Sequence, residues 1–134
     1  MSPLSSDTRY APYLLAALRI VAGLLFLAHG IVKLSGFPPD AAPGQQELLS
    51  LFGIAAVIEV VTGVLIMLGL FTRAAAFLAS GEMAVAYWMV HAPQSPYPAV
   101  NGGAAAILFC FVFLYVATAG PGAFGLDGLL RKPG

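Results

Sequence analysis

The most conspicuous shortage in this sequence of 134 residues is charge, since Asp, Glu, Lys and Arg make up only 9% of it. A soluble domain carries about 25% charged residues, and so few charges cannot cover the surface of a water-soluble domain. Six basic and six acidic residues give zero formal net charge, without the basic excess of a nucleic-acid-binding protein. The single cysteine, Cys110, excludes an internal disulfide framework. The composition therefore indicates an integral membrane protein of one domain.

Apolar length is what the sequence has in abundance, with 60% hydrophobic residues. Four apolar stretches are long enough to cross a bilayer, for which a helix needs about 20 residues. Each stretch is continuously apolar, whereas the strands of a membrane barrel alternate with period two. We therefore predict an all-α fold, a four-transmembrane-helix bundle that forms a single domain over residues 1–134. The predicted spans cover residues 11–34, 47–70, 73–90 and 100–119, to within a few residues at each end.

The connections between the spans and the basic residues predict an orientation. Two proline-rich segments, 35–46 and 92–98, follow the first and third spans, and a short hairpin around Phe71-Thr72 joins the second and third. Lys33 lies on the side of the proline-rich segments. The other basic residues lie on the side of both termini: Arg9, Arg73, Arg131 and Lys132. The excess of basic residues on cytoplasmic loops predicts cytoplasmic termini, in a multi-pass protein of the plasma or inner membrane.

Ionisable residues inside the spans predict the functional site, because such groups are costly in a bilayer and usually face a bundle interior or a wet cavity. Glu59 and Glu82 lie near the middle of the second and third spans. Arg19 lies in the first span, about 6 Å from its midpoint at 1.5 Å per residue, so we expect these three residues to meet at one level. His29 and Lys33 share the helix face of Arg19. We predict catalytic roles for Glu59, Glu82 and His29, and substrate-binding roles for Arg19 and Lys33.

Two other interpretations of these charges stay open. Paired charges between helices can serve only to fix register and topology. His29 with Glu59 and Glu82 would suit iron or manganese. Because the Glu-x-x-His spacing of carboxylate-bridged metal sites is absent, we predict no metal.

Asn101 and Cys110 are weaker candidates. Asn101 opens the fourth span before two glycines, either as a helix cap or as a substrate-binding amide at the mouth of a pocket beside His29 and Lys33. Cys110 has no partner cysteine, so packing is favoured over redox chemistry for its thiol.

Short motifs follow one another along the chain from about Arg19 to Asp127. They are Leu18-Arg19-Ile20, Gly23-Leu24-Leu25-Phe26, His29-Gly30 with Lys33, Glu59-Val60-Val61-Thr62-Gly63, Leu68-Gly69-Leu70-Phe71-Thr72-Arg73, Asn101-Gly102-Gly103, and Gly120-Pro121-Gly122 with Leu126-Asp127. In this order they resemble the DoxX family, small four-helix membrane proteins related to the DoxD-type subunit of thiosulfate:quinone oxidoreductase.

The resemblance implies a redox function and shows one departure. The family commonly carries a Glu directly after Asn-Gly-Gly, where this sequence has Ala104, so Glu59 and Glu82 must carry any shared proton or metal role. Some members are linked to quinone-dependent oxidation of sulfur compounds, and others to membrane complexes that handle thiol or oxidative stress. The resemblance thus implies a membrane subunit of an oxidoreductase system, binding a quinone or a small thiol-type substrate at the charged cluster.

In the quinone version of this hypothesis, His29 and Lys33 bond a carbonyl oxygen of the ring, and Glu59 or Glu82 supplies the proton. The sequence has no motif for flavin, haem or an iron–sulfur cluster, so we expect no covalently bound cofactor and no catalysis by this chain alone. Besides the lipid bilayer, the expected partners are a protein that carries electrons or further copies of the chain. A small-solute or proton transporter and a scaffold that anchors a redox partner stay open as alternative functions.

Overall fold

A computed structural model describes residues 8–130, and every regular element in that part of the chain is helical, as the predicted all-α class requires. The helices are α1 (Ala11–Ser35), α2 (Leu51–Leu68), α3 (Thr72–Ala86), α4 (Pro98–Asn101), α5 (Ala104–Ala119) and α6 (Leu126–Leu130). A π-helical turn, Tyr87–His91, continues α3 without a break. Helices α1 and α2 are long and apolar enough to cross a membrane, and α5 is apolar but has only 16 residues.

The second helix begins at Leu51, later than the residue 47 at which the sequence predicted its span to start. The cause is a cap, because the Ser50 hydroxyl accepts a hydrogen bond from the Gly53 N–H at 3.1 Å. Such a cap satisfies one of the free N–H groups of the first helical turn. At its other end, α2 stops at Gly69, whose φ of 68° lies in the left-handed region that glycine adopts readily.

The fourth predicted span, residues 100–119, is two helices rather than one. The short helix α4 ends at Asn101, and Gly102 then adopts a φ of 71°, which reverses the local helical sense. Helix α5 starts afresh at Ala104. The glycine pair therefore separates a one-turn segment from the long apolar helix.

The long helices pack as two pairs, α1 on α2 and α3 on α5, and the pairs meet mainly through α2 and α3. Glycines bring the first pair into close contact. A Cβ atom added at Gly63 would lie 3.0 Å from the backbone N of Leu27 and 3.1 Å from the carbonyl of Gly23. Small residues allow this kind of close backbone approach between membrane helices. A Cβ at Gly30 would likewise lie 3.0 Å from the Ala56 carbonyl, so α1 stays close to α2 along the half that carries Lys33.

The two ends of the bundle are built differently. At the hairpin end, which includes the α2–α3 connection, the start of α1 and residues 120–130, the Ala123 N–H bonds the Pro12 carbonyl at 3.0 Å. The Asp127 N–H bonds the Gly69 carbonyl there at 2.8 Å. At the opposite loop end lie segments 36–50 and 92–103, and the Gln46 N–H bonds the Lys33 carbonyl at 2.7 Å. The C-terminal segment therefore closes one end of the bundle, and the two proline-rich segments cover the other.

Candidate functional site in the bundle interior

An ion pair between Lys33 on α1 and Glu59 on α2 forms the centre of the candidate site. The Lys33 ammonium donates to both carboxylate oxygens of Glu59, at 2.9 Å to Oε1 and 2.7 Å to Oε2. The Glu59 side chain is completely buried, and that of Lys33 is 13% exposed. A buried charge is tolerated only when it is paired and hydrogen-bonded, and here each charge supplies what the other requires.

Glu82, on α3, is the third member of this charged cluster, which we define as Lys33, Glu59 and Glu82. Its carboxyl group lies close enough to that of Glu59 for a hydrogen bond between the two, and it interacts electrostatically with Lys33. Its Oε1 atom is nevertheless buried without a hydrogen-bond donor. With all three groups ionised, the cluster would carry one negative charge in excess. The structure thus brings together three of the predicted site residues.

Arg19 does not join this cluster, so the expected meeting of Arg19 with the two glutamates at one level is wrong. Its buried guanidinium donates to four backbone carbonyls: Ile66 at 2.8 Å, Met67 at 2.7 Å, Pro121 at 2.8 Å and Ala123 at 3.1 Å. Ile66 lies seven residues beyond Glu59, about 10 Å along α2 at 1.5 Å per residue. Because α1 and α2 are antiparallel, the first half of α1 faces the end of α2 and not its middle.

Asp127 is the acidic partner of Arg19 that sequence reasoning missed. It interacts electrostatically with Arg19, and its carboxylate accepts the Phe71 and Thr72 N–H groups at 2.8 and 2.9 Å. These are free N–H groups at the start of α3, where a negative charge is favoured. The available signal was an aspartate placed shortly after the Gly-Pro-Gly break. Arg19 and Asp127 together attach the C-terminal segment to the hairpin end.

His29 lies one turn before Lys33, at the seam between α1 and α5. Its Nδ1 is 2.8 Å from the Leu25 carbonyl in its own helix, which makes Nδ1 the protonated nitrogen because a carbonyl only accepts. The ring is exposed and meets Phe109 edge-on at 5.7 Å between centroids. Phe109 in turn contacts Phe26 at 5.5 Å and stacks on Phe113 at 5.6 Å. His29 therefore belongs to an aromatic seam, defined as these four residues, and not to the ion pair.

Asn101 organises the loop end. Its side chain is almost completely buried, and its amide donates to the Tyr87 hydroxyl at 3.2 Å and the Ser95 carbonyl at 2.9 Å. Its Oδ1 accepts the Gly103 N–H at 2.8 Å, just before α5 begins. Both amide N–H groups are thus used within the loop. The predicted role of Asn101 in substrate binding has no free amide donor to support it. The capping interpretation does not hold either, because the N-cap residue of α5 is Gly103 and this helix start has no side-chain cap.

The remaining polar groups and cavities lie elsewhere. Within residues 8–130, no three His, Cys, Asp or Glu side chains come together in a way that could hold a metal ion. The Ser80 hydroxyl donates to the Cys110 carbonyl at 2.7 Å, so Cys110 takes part in the α3–α5 contact. A cavity of about 540 Å³ opens at the loop end beside Leu34, and one of about 200 Å³ opens at the hairpin end beside Asp127.

The apolar helices, and the few charges buried between them, indicate a membrane protein that is all-helical over residues 8–130. The DoxX family model matches residues 14–92, more than half of the chain, so this protein belongs to the DoxX family. The match contains the charged cluster, His29 and Arg19, whereas Asn101 and the closing Gly-Pro-Gly segment lie outside it.

Two relatives extend the similarity along the chain. An uncharacterized protein of Haemophilus influenzae is 43% identical over 132 residues, covering 92% of this chain and 96% of its own. An uncharacterized membrane protein of Mycobacterium tuberculosis is 27% identical over 141 residues, covering 86% of this chain and 80% of its own. No solved structure matches the chain.

Replacing Arg19 tests its structural role. Arg19→Gln should lower the free energy of unfolding by about 3–5 kcal/mol, because it leaves buried backbone carbonyls without donors and removes a buried cation that interacts with Asp127. Thermal or denaturant unfolding in detergent measures this loss. Arg73→Gln is the control, since the exposed Arg73 also donates to backbone carbonyls, those of Ala117 and Thr118, and should cost less than about 1 kcal/mol. Equal losses in the two variants would contradict the assignment.

Proposed function

We propose that this DoxX-family protein is a membrane subunit of a redox system and binds a quinone beside the charged cluster. The observation that carries the proposal is the buried Glu82 Oε1 without a donor, next to the ion pair of Lys33 and Glu59. A buried polar atom without a partner is destabilising and rare. Ionisable groups at this depth of a membrane protein commonly mark proton, ion or substrate paths.

The aromatic seam supports a lipid-soluble ring as the ligand. His29 is exposed at this seam, and the half-buried Phe109 offers a flat apolar surface beside it, held in place by the completely buried Phe113 on which it stacks. A quinone dissolved in the bilayer would approach the protein from the side, where α1 and α5 make only a small contact. In this proposal, Lys33 donates to a ring carbonyl through the N–H group that Glu59 leaves unused, and His29 lies against the ring, where its Nε2 can accept the hydroxyl group that forms on reduction. A glutamate of the charged cluster supplies one of the two protons that reduction of a quinone to a quinol requires.

The proposed subunit needs a source of electrons. The chain carries no motif for a redox cofactor, so we assign electron delivery to a protein partner that carries electrons. A small thiol-type substrate would use the site in the opposite direction: oxidation of two thiols to a disulfide releases two electrons, which the partner takes, and two protons, one of which a glutamate of the charged cluster accepts. In either case the protein supplies the binding site and a group that exchanges protons, and the partner exchanges the electrons.

The excess acidic charge of the cluster also favours a second function, a transporter of protons or a small solute. A site that gains and loses one proton in the middle of a membrane is a component of proton pathways. Four helices are few for alternating access, so this function would require an oligomer. Quinone binding separates the two functions, because a transporter of this kind has no need of it.

We further propose four spans, formed by α1, α2, α3 with its π-helical turn, and α4 with α5. Successive long helices run between the hairpin end and the loop end in alternating directions, as their end contacts indicate. Arg9 and Arg73 lie at the hairpin end, whereas Lys33 reaches inward to Glu59. Positive residues favour the cytoplasmic side, so we place the hairpin end and both termini in the cytoplasm of a plasma or inner membrane. Arg131 and Lys132, which contributed to this prediction, lie outside the described residues.

Cysteine labelling tests the orientation. In a Cys110→Ala background, we expect a membrane-impermeant thiol reagent to label Gln94→Cys in intact cells, because Gln94 is exposed at the loop end. Ala74→Cys, exposed at the hairpin end, should be labelled only after the membrane is permeabilised. Labelling of Ala74→Cys alone in intact cells would reverse the orientation, and equal labelling of both positions in intact cells would contradict four spans.

Titration of purified protein with a quinone analogue tests the proposed function. Wild type should bind saturably, and His29→Ala and Glu82→Gln should each raise the Kd at least about tenfold, equivalent to about 1.4 kcal/mol. Glu47→Gln is the matched control, because Glu47 is exposed at the loop end and outside the cluster. Absence of saturable binding in folded wild-type protein, or equal binding in all four proteins, would sink the proposal.

A further inference from the structure

The two glutamates of the charged cluster are not equivalent. Both oxygens of Glu59 accept hydrogen bonds from Lys33, at 2.9 and 2.7 Å. A carboxylate that receives two charge-assisted hydrogen bonds from one ammonium is held in its ionised form. Glu59 and Lys33 therefore balance each other, and no further cation is required for them.

Glu82 has no cation of its own. From α1 it faces Lys33, which is already committed, and from α2 it faces Glu59, which is an acceptor like itself. Helix α5, which packs on α3, contains no Asp, Glu, His, Lys or Arg, and its Cys110 contacts Ser80. Arg19 is occupied by carbonyl groups at the hairpin end. Among the described residues, none of these neighbours offers Glu82 a free positive charge.

A proton resolves this arrangement. Two carboxyl groups can form a hydrogen bond with each other only when one of them is protonated and its O–H group acts as the donor. Two ionised carboxylates side by side in a desolvated site would repel each other strongly. Protonation at Glu82 removes the excess negative charge, gives the pair a donor, and leaves the whole cluster neutral.

We infer that Glu82 is the proton-binding group of this site. Its protonated carboxyl group donates a hydrogen bond to Glu59, while Lys33 and Glu59 stay ionised. This assignment deepens the proposed function, in which either glutamate supplies the proton, and rests on it only for where the proton goes. Glu59 is then a positioning residue, which holds Lys33 and orients the protonated carboxyl. Loss of the proton from Glu82 leaves an unbalanced anion that either draws on Lys33 or takes up a new proton.

Infrared spectroscopy of the purified protein without quinone tests this inference. At neutral pH, wild type should show the C=O stretch of a protonated carboxyl group, which shifts when the protein is transferred to D₂O. Glu82→Gln should lose this band, and the control Glu47→Gln should keep it. Because Glu82→Gln could fail to fold, Glu82→Asp is the second variant, and it should keep a protonated-carboxyl band at a shifted frequency.

Glu59→Gln gives an independent expectation. Without Glu59, Lys33 becomes available to Glu82, which should then ionise, so this variant should lose the protonated-carboxyl band although Glu82 is still present. The inference is overturned if folded wild type lacks the band at neutral pH, if Glu82→Gln keeps it, or if it survives in Glu59→Gln. A band that disappears when Na⁺ or K⁺ is added would overturn it as well, because the site would then hold a metal cation.

The infrared spectra and the quinone titration test the proton assignment and the quinone function separately, so either one can be wrong while the other holds. If the band behaves as expected and no quinone binds, the proposed quinone function falls and the proton assignment stands. If quinone binds and the band is absent, the function stands and the proton assignment falls.

Discussion

The ion pair of Lys33 and Glu59 sets the conditions for the rest of the structure. Lys33 lies near the end of α1, yet its ammonium reaches a carboxylate in the middle of α2. The reach succeeds only because α1 and α2 run close together, and glycines at positions 23, 30 and 63 make that approach possible. Since a lone charge in a bilayer is far more costly than a paired one, helix packing and charge pairing depend on each other. Because Lys33 is paired with Glu59, it does not balance the charge of Glu82 as well.

The bundle contains two groups of buried charges, and the two groups have different roles. At the hairpin end, Arg19 and Asp127 satisfy backbone groups of α2, α3 and the C-terminal segment, and this group holds the chain together. In the interior, the charged cluster keeps one buried oxygen without a donor. The hairpin end also has a buried oxygen without a partner, Thr72 Oγ1, but that atom belongs to an uncharged hydroxyl group, whereas Glu82 Oε1 belongs to an ionisable carboxyl group. Arg19, by contrast, uses its guanidinium on four backbone carbonyls. We therefore assign the proposed chemistry to Glu82 and the stabilising role to Arg19.

The sequence predicts the helix face on which a residue lies better than it predicts which residues of other helices it contacts. Hydropathy and composition predicted an all-helical membrane protein, and the depth of Glu59 and Glu82 in their spans predicted that they meet. The spacing of Arg19 and Lys33 placed both on one face of α1, but a shared face does not say which part of α2 each residue meets. Antiparallel packing sends Arg19 to the end of α2 and Lys33 to Glu59. Asp127 escaped prediction because its partners, the first N–H groups of α3, are distant in sequence and carry no side-chain signal.

Photolabelling tests most directly the claim that a quinone binds at the aromatic seam beside the charged cluster. A photoreactive quinone analogue is added to membranes that contain the protein, and the labelled peptides are mapped by mass spectrometry. The predicted label falls within residues 26–33 of α1 or 109–113 of α5, and excess unlabelled quinone displaces it. Label confined to the hairpin end, around residues 121–127, or label that unlabelled quinone does not displace would contradict the claim.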